Sequence, residues 1–224
     1  MSRVSIVIPV YGMTNAQYFL ERNLKSIYIQ SFDDYEIVIT DDSDDDNLKN
    51  WIQTLDLPIK YLKNRGNKGM ANNTNYAIDQ AEGELVKILY QDDYFYDSRS
   101  LENIEKAFTS TCWWLATGCT HTFNGINTFN DHKPYYSESD NTIGSPSVIT
   151  FRREIQERFD PNFHWVLDLD WYKCLHRKYG KPKIYDRVNV VIGIHNAQKT
   201  YLLSDDEKNK EHLLLKRKHE TYAT

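Results

Sequence analysis

The first 97 residues alternate short apolar runs with stretches of helical periodicity, and this alternation limits the fold more than any other feature. The apolar runs are VSIVIPV at 4–10, YEIVIT at 35–40, IKYL at 59–62 and LVKILY at 85–90. Each has the length and β-branched or aromatic content of a buried strand. Between them, residues 14–30 carry Leu20, Leu24, Ile27 and Tyr28 at helical spacing behind Thr14 or Asn15 as N-cap. Residues 48–55 read as a short helix and 72–81 as a longer one ended near Gly83. A β-α-β-α-β-α-β order calls for a parallel sheet covered on both faces. Right-handed crossovers then bring the carboxyl ends of the strands to one edge, where ligands of open α/β sheets bind.

That edge collects Tyr11, the pair Asp41/Asp42 and the pair Asp92/Asp93, each just after a strand. Adjacent carboxylates repel, so such a pair is hydrogen-bonded, shares a proton or holds a divalent cation. An Asx turn accounts for one pair equally well, but not readily for three coincident motifs. The loop KNRGNKG at 63–69 sets Arg65 and Lys68 beside Gly66 and Gly69, supplying cations and close-approaching backbone for a phosphate.

After a further helix expected over 100–108, the pattern weakens. CWWLATGC at 112–119 and GSPSVITF at 144–151 read as strands, and the polar, aromatic 120–142 as a loop region. Asp168 and Asp170 precede a helix bearing Trp171, Leu175 and Tyr179; an Asp there is an N-cap, or with Trp165 and Trp171 it lines a polyol pocket. Val188–Ile194 is a last strand ending at His195, and a charged helix with LLL at 213–215 closes the chain.

A net charge of -5 argues against a nucleic-acid partner, and any anionic ligand must find local donors or a metal. No apolar run reaches membrane-span length, and the amino terminus enters a strand directly instead of forming a signal peptide. Cys112, Cys119 and Cys174 lack metal-ligand spacing and read as reduced thiols of a cytoplasmic protein.

The segments SIVIPVYG, EIVITDDSDDD, NKGMANNTNYAIDQAEGELV and ILYQDDYF, with GSPSVITFRRE and LDLDW later, resemble the family 2 glycosyltransferases. The resemblance implies a single GT-A (Rossmann-like) α/β domain over 1–204, with a nucleotide-sugar half at 1–97, an acceptor half at 98–204 and a smaller mixed sheet on the acceptor side. Residues 205–224 form a charged amphipathic helix. It implies that Tyr11 stacks near the nucleobase with backbone around Pro9, and that Asp42, or its neighbour Asp41, accepts a hydrogen bond from the base. Asp92 and Asp93 would meet ribose and a Mn2+ or Mg2+ on the diphosphate, with His195 as a further ligand. Asp170 would be the general base and Asp168 its rival. Where the family has an acid two residues before Asp92 this chain has Tyr90, which shifts the metal toward Asp93. Where many members have Arg, it has Thr74 before Asn75, so phosphate charge falls to Arg65 or Lys68.

The implied activity is metal-dependent inverting transfer from a UDP- or dTDP-sugar to a glycan or glycolipid hydroxyl, in surface polysaccharide or glycolipid synthesis, with peripheral contact at the inner membrane face. A nucleotidyltransferase would need a glycine-rich, cation-bearing loop where VIPVYGMTN stands. A non-catalytic sugar-nucleotide or glycan-binding module is the other alternative, favoured only by Tyr90.

Overall fold

The computed structural model describes residues 2–13 and 15–220, so Thr14 as a cap lies outside the described residues. Its first half follows the alternation: β1 (Val4–Val10), α1 (Ala16–Tyr28), β2 (Tyr35–Asp41), α2 (Asn47–Gln53), β3 (Ile59–Lys63), α3 (Met70–Asp79) and β4 (Leu85–Ile88). These strands are parallel in the order β3-β2-β1-β4. All seven β1 residues are buried, as a strand covered on both faces requires. Pro9 is tolerated inside β1 because the β1–β4 register ends at Val7↔Ile88. The Val7 carbonyl accepts from Leu89, so Pro9, two residues on, turns its nitrogen to the same side beyond the ladder. Asn15 flanks α1 without making a side-chain cap. The helix is held instead by Ala16, Phe19, Leu20, Leu24 and Ile27 in the core.

The second half continues the same sheet. It adds β5 (Tyr94–Phe95), α4 (Ser100–Ala107), β6 (Trp114–Thr122), β7 (Thr128–His132) and a 3-10 turn at Pro146–Val148 leading into β8 (Ile149–Arg152). Next come α5 (Leu167–Tyr179), β9 (Lys183–Gly193), α6 (Lys199–Leu202) and α7 (Asp205–Glu220). β8 runs antiparallel to β4, and the order continues β8-β6-β9-β5. One curled mixed sheet results, with β7 paired to the far half of β6.

Several expected boundaries change, among them the strand expected over 144–151, which is confined to Ile149–Arg152 behind the 3-10 turn. The strand begun at Leu85 stops at Ile88, and the last strand starts five residues early, at Lys183. Part of the expected 120–142 loop is the β6–β7 hairpin. β7 is almost wholly exposed, so it has no apolar alternation to betray it.

α7 docks through few residues. Of the LLL run only Leu215 is buried, since three consecutive helical positions cannot share a face. Glu211 accepts backbone N–H bonds from His164 (3.0 Å), Trp165 (2.8 Å) and Val166 (3.1 Å), the residues entering α5. A carboxylate from another helix thus holds the three backbone donors of the bend that leads into α5. No helix among the described residues is long and apolar enough to cross a membrane. Cys112 and Cys119 are buried and Cys174 half-buried, all as free thiols.

Candidate active site

In the order β3-β2-β1-β4 the connections reverse direction at β1, so a crevice opens between the ends of β1 and β4. Gln91 ties the two ends together. Its Oε1 accepts from Tyr11 N (2.8 Å) and its Nε2 donates to Tyr11 O (3.3 Å). This two-way bond fixes the backbone while the Tyr11 ring stays 55% exposed, free to stack on a planar ligand. Gly12 lies so near the β2 loop that a Cβ there would meet Ser43 Oγ at 2.8 Å.

The two acids after β2 differ. Asp41 faces inward and accepts from Ser43 N (2.8 Å), Tyr61 OH (2.6 Å) and Lys63 Nζ (3.0 Å). Burial opposes its charge, but bonds from Ser43, Tyr61 and Lys63 outweigh that and lower its pKa. Asp41 is therefore an internal brace, a correction to its expected place at the base. Asp42 accepts from Asn64 Nδ2 (3.0 Å) and Gly69 N (2.7 Å), and burial raises its carboxyl. Lys68 curls over this loop, donating to the Asp42 carbonyl (2.8 Å).

The acids after β4 also divide. Asp93 N donates to Tyr90 O (3.0 Å), closing a turn that sends the Asp93 side chain inward. There its Oδ1 accepts from Gly193 N (2.9 Å) and its Oδ2 from Ser145 Oγ (3.4 Å). Burial, then Asp92, hold its carboxyl well above the usual range. Burial also pushes the Lys87 ammonium, beneath in β4, down to about 7, against the pull of Asp93. Asp93, expected as the principal metal ligand, is thus only 2% exposed and turned into the protein. Asp92 instead keeps its carboxylate at the surface of the crevice, with Oδ2 3.0 Å from His195 Nε2.

Gly193, the last residue of β9, backs this pair. A Cβ there would stand 2.3 Å from the Asp92 carbonyl, so Gly193→Ala should displace the turn. The expected loss is about 1–3 kcal/mol by urea unfolding, and unchanged stability would show that the turn yields freely.

The acids of α5 separate as well. Asp170 is 0% exposed and faces α7, with Lys218 Nζ at 2.9 Å from one oxygen and His219 Nε2 at 2.9 Å from the other. It is a structural anion and does not reach the crevice, which corrects the first choice of base. Asp170, Cys174 and His219 do bring three metal-capable donors within 4.8 Å. Both carboxylate oxygens are already engaged, and the Lys218 ammonium opposes a cation there. Asp168 lies 200° around the helix. Its Oδ2 accepts from Asn141 Nδ2 (2.6 Å) and its Oδ1 from Leu169 N (2.8 Å). Burial pushes its carboxyl up to about 7. The 141–145 loop joins the two acidic regions, its Asn141 donating to Asp168 and its Ser145 to Asp93.

Asn75, expected at the cofactor, exchanges two hydrogen bonds with the Phe159 backbone (2.8 and 2.9 Å), one through each end of its amide. Trp171 is a core residue and Trp165 packs on His212, so the two do not line a sugar pocket. Gln91 and Asn141 went unread in the sequence, having no charge or motif to mark them. Asn23 was legible in principle, as an amide on the apolar face of α1, where its Nδ2 donates to Tyr90 O (3.0 Å) and Asp93 O (2.8 Å).

The architecture is that of the GT-A nucleotide-sugar transferases. A crystal structure of S. aureus TarS 1-349 with UDP-GlcNAc matches at a TM-score of 0.69 and 19% identity, over 90% of this chain and 61% of that one. The mannosyltransferase PcManGT of Pyrobaculum calidifontis, in complex with GDP-Man and Mn2+, matches at 0.65 and 20%, over 88% and 58%. This chain therefore spans about three-fifths of those solved chains. The sequence narrows the class: the model of Glycosyl transferase family 2 matches residues 5–175, and the chain belongs to that family of glycosyltransferases. A relative from Campylobacter jejuni, the GalNAc(5)-diNAcBac-PP-undecaprenol beta-1,3-glucosyltransferase, is 40% identical over 90% of this chain and 72% of its own. Escherichia coli WfgD, a UDP-Glc:alpha-D-GlcNAc-diphosphoundecaprenol beta-1,3-glucosyltransferase, is 32% identical over 40% of this chain and 35% of its own.

Proposed function

We propose that this glycosyltransferase moves a hexose from a UDP-sugar to a sugar hydroxyl on a polyprenyl-diphosphate glycan, with inversion, using a divalent cation at Asp92 and His195. The observation that carries the reading is the Asp92–His195 contact at the strand end, tied to the Asp168 carboxyl through the 141–145 loop, whose Asn141 donates to Asp168 and whose Ser145 donates to Asp93. Burial pushes the Asp168 carboxyl up to about 7. A general base works best when its pKa lies near the operating pH. UDP-glucose is the donor suggested by the relatives' names.

Tyr11 would stack on uracil and Asp42 would receive its N–H, while the Gln91 clamp keeps both strand ends in place. An oxygen and an imidazole nitrogen suit Mn2+ better than Mg2+, and diphosphate oxygens would complete the coordination. Bound there, the cation would neutralise charge on the departing diphosphate. Asp168 would take the proton of the acceptor hydroxyl as its oxygen attacks the anomeric carbon from the face opposite UDP. One displacement inverts that centre. Asn141 and the Leu169 N–H hold the carboxylate in one orientation for it.

The test is UDP release from UDP-glucose in the presence of Mn2+ and a polyprenyl-diphosphate GlcNAc acceptor, with the product anomer read by NMR. A retained anomer, or release unaffected by a chelator, would overturn the mechanism. Tyr11→Ala should weaken UDP binding by about 1–3 kcal/mol by calorimetry while unfolding stays cooperative. Unaltered affinity would place the ring outside the base site.

A further inference from the structure

We infer that Phe19 and Arg22, one helical turn of α1, are positioning residues that hold Asp92 and His195 at a fixed mutual angle. The inference rests on the assignment of the cation to that pair. Asp92 and His195 are 103 residues apart in the chain and come from two separate loops. Gly193 N joins the two loops through Asp93 Oδ1 (2.9 Å), a bond that touches neither the imidazole ring nor the Asp92 carbonyl.

α1 touches both. The Phe19 ring stacks on the His195 imidazole at 4.9 Å between centroids and 27° between planes. Three residues on, Arg22 Nη2 donates to the Asp92 carbonyl at 2.7 Å. Its guanidinium lies 4.5 Å from the Tyr94 ring centroid and 5.6 Å from that of Phe19. Arg22 also packs on Gly125 of the β6–β7 hairpin, so it is gripped on several sides and cannot follow a drifting turn. A flat ring beneath an imidazole restricts its tilt, and a planar cation wedged between aromatic rings restricts the carbonyl it holds. The groups orienting a metal's ligands typically change affinity 10–100-fold when removed.

The experiment measures Mn2+ binding to the UDP-loaded full chain by calorimetry, with thermal unfolding alongside. Phe19→Leu keeps an apolar side chain in the core but loses the flat surface. Its Mn2+ dissociation constant should rise about tenfold, and Phe19→Tyr should restore it. Leu20→Ala, on the same helix but wholly in the core, should lower the melting temperature more and leave the Mn2+ constant unchanged. Should Phe19→Leu not fold, Arg22→Gln is expected to show the same tenfold rise. Wild-type Mn2+ affinity in a folded Phe19→Leu or Arg22→Gln, or an equal loss in Leu20→Ala, overturns the positioning role alone. Absence of Mn2+ binding by the wild-type chain with UDP overturns the metal assignment itself.

Discussion

Asp168→Asn should lower sugar transfer by roughly 10²–10⁴-fold, while UDP affinity and the unfolding midpoint stay near wild type. The amide can still accept from Leu169 N, so the start of α5 keeps that bond. What disappears is the lone pair that would receive the acceptor's proton. The pH profile gives a second readout. Because burial pushes the carboxyl up to about 7, the wild-type rate should climb as pH rises through that value and level off above it. The effect on folding has the opposite sense. A raised carboxyl binds, in the folded state, a proton that the unfolded chain releases near pH 4. Its contribution therefore disfavours folding increasingly from about pH 4 to about 7, and is constant beyond. Near-wild-type transfer by the Asn variant, or a flat rate profile from pH 5.5 to 8.5, would remove Asp168 from the reaction.

Asp170→Ala should do the reverse, destabilising the protein while sparing the chemistry. Removing the fully buried carboxylate leaves Lys218 and His219 facing an empty site. Breaking a buried pair by deleting one partner typically costs about 3–5 kcal/mol. Lys218 keeps Asp160 at 2.7 Å, which argues for about 3 at most. Urea unfolding checks this number. Transfer per folded molecule should stay within a few-fold of wild type. A stable but inactive Asp170→Ala would return the role of base to Asp170.

The contrast shows which parts of the site were legible in the sequence. Strand ends at Tyr11, Asp42 and Asp92 could be found because the β-α alternation and crossover handedness place them without knowledge of distant contacts. Choosing within each acidic pair could not be done that way. Asp92 and Asp93 exchange prominence because β4 stops at Ile88 and the turn at Tyr90–Asp93 rotates the second acid inward. Asp168 and Asp170 sit on opposite faces of α5, and the face that meets solvent depends on where α7 packs, 48 residues further along. Likewise β5 is two residues long and pairs with β9 almost a hundred positions away, leaving no local periodicity to read.

The clamp that Glu211 places on the bend entering α5 also bears on how the chain is made. Residues 164–166 leave the ribosome some 45 residues before the carboxylate that accepts their N–H groups. Synthesis proceeds from the amino end, and early segments begin to fold while later ones are still being added. The nucleotide-side strands can therefore assemble first. The helix carrying Asp168 gains its terminal anchor only when α7 arrives, so in the nascent protein the crevice at the ends of β1 and β4 should form before Asp168 is held in place.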